Sequence, residues 1–277
     1  MAEKRFSRDA LTALRFIWNH PANRGRRARK LGEAALFQVR GRLLGRGTTA
    51  AIGERSKIVV YPRHGQAGLL YANPTEVPEI NVWRRTLRAG DLFIDVGANV
   101  GAYTIWAIEA GAEVVAIEPD GWAVEQLAAN LALNGYEATV LHAAASSEPG
   151  TVTMTTDLGV TNRIVTSTYD GPVERARAVT LDEVLGERTA AGVKVDVEGA
   201  EMMVVLGADR ALRARRIRLM QCEWTGACEH FGERRENLAA HLRARGYDLF
   251  TPSEDGTLSA LAHDGPQQPD VFARPRD

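Results

Sequence analysis

Three groups of residues in the 277-residue chain have types and spacing suited to chemistry. The first is Asp95-Val-Gly-Ala-Asn-Val-Gly101, an acid followed by glycines at 97 and 101. Glycine in such a run lets the backbone turn sharply and approach a ligand. A helix opening just beyond it offers unpaired N–H groups and a partial positive charge, which suit a carboxylate. The second is Glu118, 21 positions after Gly97, where an acid commonly accepts from ribose hydroxyls. The third is Lys194-Val-Asp-Val-Glu-Gly-Ala-Glu201, followed by Glu223 and His230.

Spacing separates the candidate ligands of the first group. A dinucleotide loop reads G-x-G-x-x-G with no acid just ahead of it. Here the pattern is D-x-G-x-x-x-G, with Asp95 entering the loop. A carboxylate repels a pyrophosphate but accepts from the α-amino group of an amino-acid-like ligand. S-adenosylmethionine has that amino group, a carboxylate and a sulfonium cation. NAD is the competitor within the same frame. Taken singly, Asp95 also reads as a helix N-cap and Glu118 as a solvated strand end.

The third group offers residues for the chemistry such a cofactor would bring. Methyl transfer from a sulfonium is an in-line displacement in which the cofactor brings its own leaving group, leaving the protein to align an acceptor, exclude water and take up a proton. Strand alternation places Lys194, Asp196 and Glu198 on one side, and Glu223 ends the neighbouring strand on the same rim. Clustered carboxylates raise one another's pKa, which would make one of them a base near neutral pH. They would also suit a divalent cation such as Mg²⁺, a role ranked behind the base. Lys194 would neutralise the cluster. Glu198 and Glu201 read equally as caps of the following helix. His230 is a further base candidate in its loop. His142 is expected at the adenosine pocket or in the core, Trp224 is expected to border the acceptor, and His64 and His263 have no supporting context.

These residues need elements to hold them. Leu92–Val96, Glu113–Ile117, Ala138–Leu141, Val193–Val197 and Ile217–Glu223 read as strands, alternating with helices at Gly101–Ala110, Asp120–Asn134, Leu181–Leu185, Glu201–Ala214 and Glu233–Arg245. A final strand pair lies near Asp248–Phe250 and Asp270–Ala273. This alternation predicts an α/β fold with a mostly parallel sheet and helices on both faces, its ligand at the carboxyl ends of the strands. Thr151–Thr155 and Arg163–Thr168 read as an inserted hairpin. Upstream, Leu11, Leu14, Ile17 and Trp18 fall at helical spacing, a second helix spans Arg27–Leu44, and Lys57–Tyr61 with Leu69–Tyr71 read as a small hairpin around Gly65–Gly68. Pro74 and Pro78 precede a short helix, Glu79–Leu87.

Composition bounds the rest. An apolar fraction of 45% and a charged fraction of 25% are ordinary for a globular domain. No apolar run approaches a membrane span, and Arg15 interrupts the only apolar stretch near the start, so neither a transmembrane segment nor a secretory signal is predicted. Cys222 and Cys228 are too few for a disulfide framework and point to a reducing, cytoplasmic setting. Residues 1–46 hold 12 Lys/Arg and 3 Asp/Glu, a net of +9 within a chain of net −1. Such an arm suits nucleic acid, an anionic surface, the acidic body of the chain or a second subunit. It has no aromatic interleaving, which favours packing or a homodimer over nucleic acid.

Taken together, Asp95-Val-Gly-Ala-Asn-Val-Gly-Ala-Tyr-Thr104, Ala116-Ile-Glu-Pro-Asp120, Asn130 with Asn134, Thr180-Leu-Asp-Glu183 and Lys194–Glu201 closely resemble the FkbM family of S-adenosylmethionine-dependent methyltransferases over roughly residues 75–275. The resemblance implies a class I, Rossmann-like sheet with an antiparallel edge strand, and S-adenosylhomocysteine as product. It places Asp95, Gly97, Asn99 and Gly101 around the methionine part of the cofactor, with Tyr103 and Thr104 adding contacts. Glu118 becomes the ribose acid, with Pro119 and Asp120 beside the adenosine, and Ala144 and Ala145 follow the third strand at the adenine pocket. Asp196 is assigned to the cofactor's amine or to base catalysis. The family usually has a glycine–serine turn where this chain has Gly159-Val-Thr-Asn162, which leaves the acceptor open.

The resulting expectation is an O-methyltransferase acting on a hydroxyl of a sugar or small natural product, such as a polyketide or glycoside. Residues 1–74 would form a lid or dimerisation element, and 75–277 the cofactor-binding domain. The alternatives are a Rossmann oxidoreductase, disfavoured by the loop spacing, and a non-catalytic binding protein of the same fold. A nucleic-acid methyltransferase is suggested only by the basic arm.

Overall fold

The computed structural model describes residues 2–44, 47–61, 66–165, 169–261 and 270–276. Helices α1 (Ala2–Asn19) and α2 (Arg27–Leu44) open the chain, followed by the antiparallel hairpin β1 (Thr48–Ile52) and β2 (Ser56–Val60), then α3 (Ala67–Tyr71) and α4 (Val77–Thr86). The core alternates from there: β3 (Leu92–Val96), α5 (Ala102–Glu109), β4 (Glu113–Glu118), α6 (Gly121–Asn134), β5 (Thr139–His142). An insertion carries β6 (Ala144–Ala145), β7 (Gly150–Thr155) and β8 (Val173–Val179). The chain continues through α7 (Leu181–Leu185), β9 (Gly192–Val195), α8 (Glu201–Leu206), α9 (Asp209–Arg213), β10 (Met220–Glu223), α10 (Arg235–Ala244), β11 (Tyr247–Pro252), β12 (Leu258–Ala260) and β13 (Asp270–Pro275).

The main sheet runs β12-β11-β13-β10-β9-β3-β4-β5. Strands β10, β9, β3, β4 and β5 are parallel to one another, and β13 inserts antiparallel between β10 and β11. The expected antiparallel edge is present as β12, and β13 adds an antiparallel strand inside the sheet. From β3 the chain moves outward to β4 and β5, then returns to the other side as β9. The order therefore reverses between β3 and β9, where a ligand crevice forms in such sheets.

Local signals explain several boundaries. Thr180 caps α7 in a reciprocal capping box with Glu183, and Asp120 caps α6 through Ala123 N at 2.9 Å, with Gly135 closing that helix at φ 65°. The helix expected over Glu201–Ala214 is instead two short ones broken at Gly207. A Cβ there would sit 2.1 Å from the Ser146 carbonyl oxygen, and the Gly207 carbonyl accepts from Asp182 N at 2.9 Å.

Three elements differ from expectation. Leu69–Tyr71 lies in helix α3, and β2 pairs with Thr48–Ile52; Gly65 lies outside the described residues. A short apolar run carries no period of its own, so packing decided it. The partner of β7 is Val173–Val179, and Arg163–Thr168 supplies only an Ile164–Met154 bridge, with 166–168 outside the described residues. Strand β9 ends at Val195, and Glu198 is left-handed at φ 57°, so strand alternation does not extend to Glu198.

The N-terminal elements are stapled to the core. Asn130 and Asn134, one turn apart on α6, accept from Val59 N at 2.9 Å and Lys57 N at 2.8 Å, which fixes β2 against α6. Ile17, Phe37, Ile58 and Val60 join Val100, Ile105, Leu127 and Leu131 in one buried apolar cluster. No helix among the described residues is long and apolar enough to cross a membrane.

Candidate active site

The loop after β3 is shaped by its glycines. Gly97 has φ 75°, and a Cβ on it would lie 1.8 Å from the Asp196 carbonyl oxygen, so only glycine lets β3 and β9 approach at the reversal. Gly101, at φ 92°, opens α5 with no side-chain cap, leaving that helix end turned to the crevice. Asn99 takes φ 49°, and its side-chain oxygen accepts from Val100 N at 2.8 Å. Glu118 holds the loop from the neighbouring strand: one carboxylate oxygen accepts from Asn99 N at 2.7 Å, the other from Asp120 N at 2.9 Å. Burial pushes Glu118 up to about 7 against those two hydrogen bonds.

Above this loop is a cavity of about 460 Å³. Among the expected cofactor residues, Gly97, Asn99, Tyr103, Glu118, Pro119, Asp120, Ala144, Ala145 and Asp196 line it, and so do Lys194 and Glu198. Asp95, Gly101 and Thr104 lie behind its wall. Asp95 is fully buried: one carboxylate oxygen accepts from the Thr104 hydroxyl at 2.7 Å, the other has no hydrogen-bond partner, and Lys194 Nζ stands 3.9 Å away. Asp95 is thus tied to the first turn of α5 through the Thr104 hydroxyl, and its charge meets the cavity through Lys194.

Lys194 is the hub. Its ammonium lies 3.0 Å from Asp196, donates to the Gly97 carbonyl at 3.4 Å and sits 5.0 Å from the Tyr103 ring centre. Burial opposes its charge, but Asp196, Asp95 and Glu76 outweigh burial and raise its pKa. The lining side chains include five carboxylates, Glu76, Glu118, Asp120, Asp196 and Glu198, and this one ammonium. Burial, with Asp196 and Glu201 nearby, pushes Glu198 up to about 7.

Glu223 and His230 are placed elsewhere. Glu223 ends β10 beside Asp270 with one buried carboxylate oxygen unpartnered, and burial plus the Asp196, Glu201, Glu198 and Asp270 charges push it up to about 9. It does not line the cavity, and His230 is exposed in a 3-10 turn away from its wall. Trp224 is buried in the core, and His142, expected in the pocket or the core, is exposed at the end of β5 and off the cavity wall, its Nε2 3.0 Å from the Pro119 carbonyl. Glu201 turns its carboxylate back onto Val197 N and Gly199 N, both 3.1 Å away, and so shapes the loop. His64 and His263 lie outside the described residues.

One contributor escaped the sequence reading. Glu76 accepts a short hydrogen bond from the Tyr103 hydroxyl, which also accepts from Gln221 Nε2 at 3.2 Å. It comes from the stretch between Pro74 and Pro78, where its only signal is an acid just ahead of α4. The N-terminal elements, expected from the sequence as a lid or dimerisation element, supply part of the wall: Ala51 to Gly53 on β1 and its turn, and Ala72 to Thr75. The insert does reach the cavity, because Gly159 and Asn162 line it and Asn162 Nδ2 donates to Asp120 at 2.9 Å. Among the described residues no group of three or more His, Cys, Asp or Glu is arranged to hold a metal ion.

The strand order, the reversal between β3 and β9 and the acid-glycine loop at that reversal define a class I methyltransferase fold. The chain belongs to the family described by the methyltransferase FkbM domain, whose model matches residues 95–249. S-adenosylmethionine is the cofactor of this domain, and the residues fit it. Asp95 leaves one buried oxygen unpartnered just behind the loop, the Lys194–Asp196 pair lines the cavity, and Glu118, also on the wall, keeps free lone pairs that suit a diol. A ribosomal RNA small subunit methyltransferase A from Leifsonia xyli is 30% identical over 57% of this chain, and the chain spans 60% of that relative's length. The fold is also similar to a T. thermophilus 16S rRNA methyltransferase solved with AdoMet and guanosine (18% identity, 83% of this chain and 50% of that one, TM-score 0.47). A Pyrococcus abyssi tRNA (uracil-54, C5)-methyltransferase with S-adenosyl-L-homocysteine is similar at 12% identity, 82% of this chain and 44% of that one, TM-score 0.46. At those TM-scores the fold assignment rests on the strand order and the family match.

Proposed function

We propose that the protein is an S-adenosylmethionine-dependent O-methyltransferase acting on a hydroxyl of a small molecule, a sugar or natural product. The observation that carries this reading is the charge of the cavity. Five carboxylates face one ammonium that is already paired with Asp196, so the wall repels a polyphosphate backbone and accepts a neutral hydroxyl. When bound, the cofactor supplies a methyl group on a cationic sulfur that leaves readily.

The chain's own residues do the rest. Glu118 and the Gly97–Gly101 loop seat the nucleoside and methionine ends, and Lys194 with Asp196 and Asp95 sets the charge beside them. Alignment of an acceptor by such a wall accounts for about 7–11 kcal/mol of barrier, against roughly 10²–10⁴-fold for a base. Glu198 is the base: it lines the cavity, and its pKa near 7 lets its carboxylate take the hydroxyl proton at neutral pH. Exposed His230, off the cavity wall, is not assigned that role.

Residues 1–74 act as a fixed lid, since β1 and the stretch 72–74 wall the cavity that 75–277 builds. Leu11, Leu14 and Trp18 on α1, with Leu36 and Val39 on α2, stay exposed and offer an apolar face for a homodimer through the arm. The free thiols of Cys222 and Cys228 suit the cytoplasm.

The test is methyl transfer from labelled cofactor to panels of sugars, glycosides and polyketide alcohols, with ribosomal RNA as a parallel acceptor because the curated relative is named for it. Label in a hydroxyl compound, stable to mild base as an ether, is the expected result. Label in RNA alone would overturn the reading.

A further inference from the structure

A second cavity, about 360 Å³, opens between α2 and β1. Its charged walls are the reverse of the first: Arg26, Arg29, Lys30 and Arg40 against a single carboxylate, Glu33. Glu33 is already engaged, with Arg29 Nε at 2.8 Å and Lys30 Nζ at 3.0 Å, and those two cations hold its pKa down against burial. Among the described residues neither Arg26 nor Arg40 is paired with a carboxylate, and both are exposed, Arg26 in the turn just ahead of α2 and Arg40 toward the far end of that helix. The Thr49 side chain lies exposed on the facing strand, and Phe37 and Leu70 provide an apolar floor.

The two cavities adjoin. Ala51 and Asn73 belong to the walls of both. Asn73 is itself fixed, exchanging hydrogen bonds with Gly53 N at 3.1 Å and Gly53 O at 2.9 Å, so the shared wall is rigid. An acidic chamber for a reacting hydroxyl thus borders a cationic cleft that has guanidinium groups to spare. Guanidinium binds phosphate oxygens in a bidentate fork, which a lone ammonium cannot do.

We infer that the acceptor is a phosphorylated hydroxyl compound, whose phosphate or diphosphate is held at the Arg26 end of this cleft, with Arg40 extending the cationic track, while its hydroxyl enters the main cavity. The inference rests on the hydroxyl-acceptor reading above and adds a substrate class to it. A phosphate in the cleft replaces the repulsion among four cations by charge-assisted hydrogen bonds. The same group is turned away from the carboxylate-lined chamber, so the acceptor's orientation is set by charge.

The experiment is calorimetry on the full chain loaded with S-adenosylhomocysteine, titrated with pyrophosphate, UDP-glucose, glucose and a short single-stranded RNA. Saturable binding of pyrophosphate and UDP-glucose, with glucose at least about tenfold weaker, is expected. The double substitution Arg26→Gln and Arg40→Gln should weaken both phosphorylated probes about tenfold, with S-adenosylhomocysteine affinity within about twofold of wild type. Pyrophosphate affinity unchanged by the double substitution overturns the inference, as does no saturable binding at low salt. RNA binding tighter than UDP-glucose and lost in the same variant also overturns it, in favour of a nucleic-acid track. If no hydroxyl compound is methylated while the variant still loses pyrophosphate, the function reading has failed and the cleft's anion binding stands.

Discussion

Two carboxylates of one loop have different neighbours. Asp196 sits 3.0 Å from Lys194, whereas Glu198, two residues on, has no such cation against it and is pushed up to about 7 by burial and the Asp196 and Glu201 charges, with Lys194 and Arg163 acting weakly the other way. If Glu198 takes the acceptor's proton, only its ionised form is active, and the rate rises as pH increases through about 7. Replacing it, Glu198→Gln, should lower kcat by about 10²–10⁴-fold and flatten that rise, while S-adenosylhomocysteine binds within about threefold of wild type. A steady-state pH profile between mildly acid and mildly alkaline buffer reads both effects. A variant that keeps the wild-type profile would move the base elsewhere on the rim.

At the scale of elements, the asparagine pair on α6 shows what a motif can mean. Asn130 is buried, accepts from Val59 N and donates to the Val100 carbonyl at 2.9 Å, so it ties β2 and the cofactor loop to one helix. Asn130→Ala leaves both backbone groups unpaired and should cost about 1–3 kcal/mol, seen as an earlier urea midpoint. It should also weaken S-adenosylhomocysteine binding, because the hairpin carries Ala51 and Ile52 of the cavity wall. An unchanged midpoint would mean that solvent replaces both bonds. The sequence made the loop at 95–101, Glu118 and the 194–201 block legible because their chemistry is local: an acid, a glycine and a spacing. Glu76 was not legible, since its role depends on Tyr103 meeting it from 27 positions away. Strands β1 and β8 were also missed. Thr48–Ile52 has small Thr and Ala in place of bulky strand formers, and the inward face of Val173–Val179 is mainly Ala176 and Ala178 beside exposed Arg175 and Arg177.

Across the whole molecule, burial of acids couples stability to pH in an unusual direction. Glu79, Glu118 and Glu198 are pushed up to about 7, Asp270 to about 8 and Glu223 to about 9, with burial the leading cause in each. Each binds its proton more tightly in the folded chain than in the unfolded one, so the unfolded chain holds fewer protons through this range. Stability then falls as pH rises from the unfolded carboxylate values, and the decline ends above about 9, once Glu223 has ionised. Thermal unfolding of the ligand-free protein should give a lower Tm at pH about 9 than at pH about 6. A Tm that is flat or rising across that window contradicts the proposed protonation of these groups.

The placement of β13 bears on how the chain is made. Residues 270–275 fill a slot whose two sides, β10 and β11, are complete in sequence well before them. During synthesis at about 5–20 residues per second, both flanking strands emerge with unpaired edges. Such edges are templates for the wrong partner. The interval before Asp270 appears is therefore the chain's most aggregation-prone moment, and overproduction at lower temperature or alongside a holdase chaperone should recover more of it in usable form.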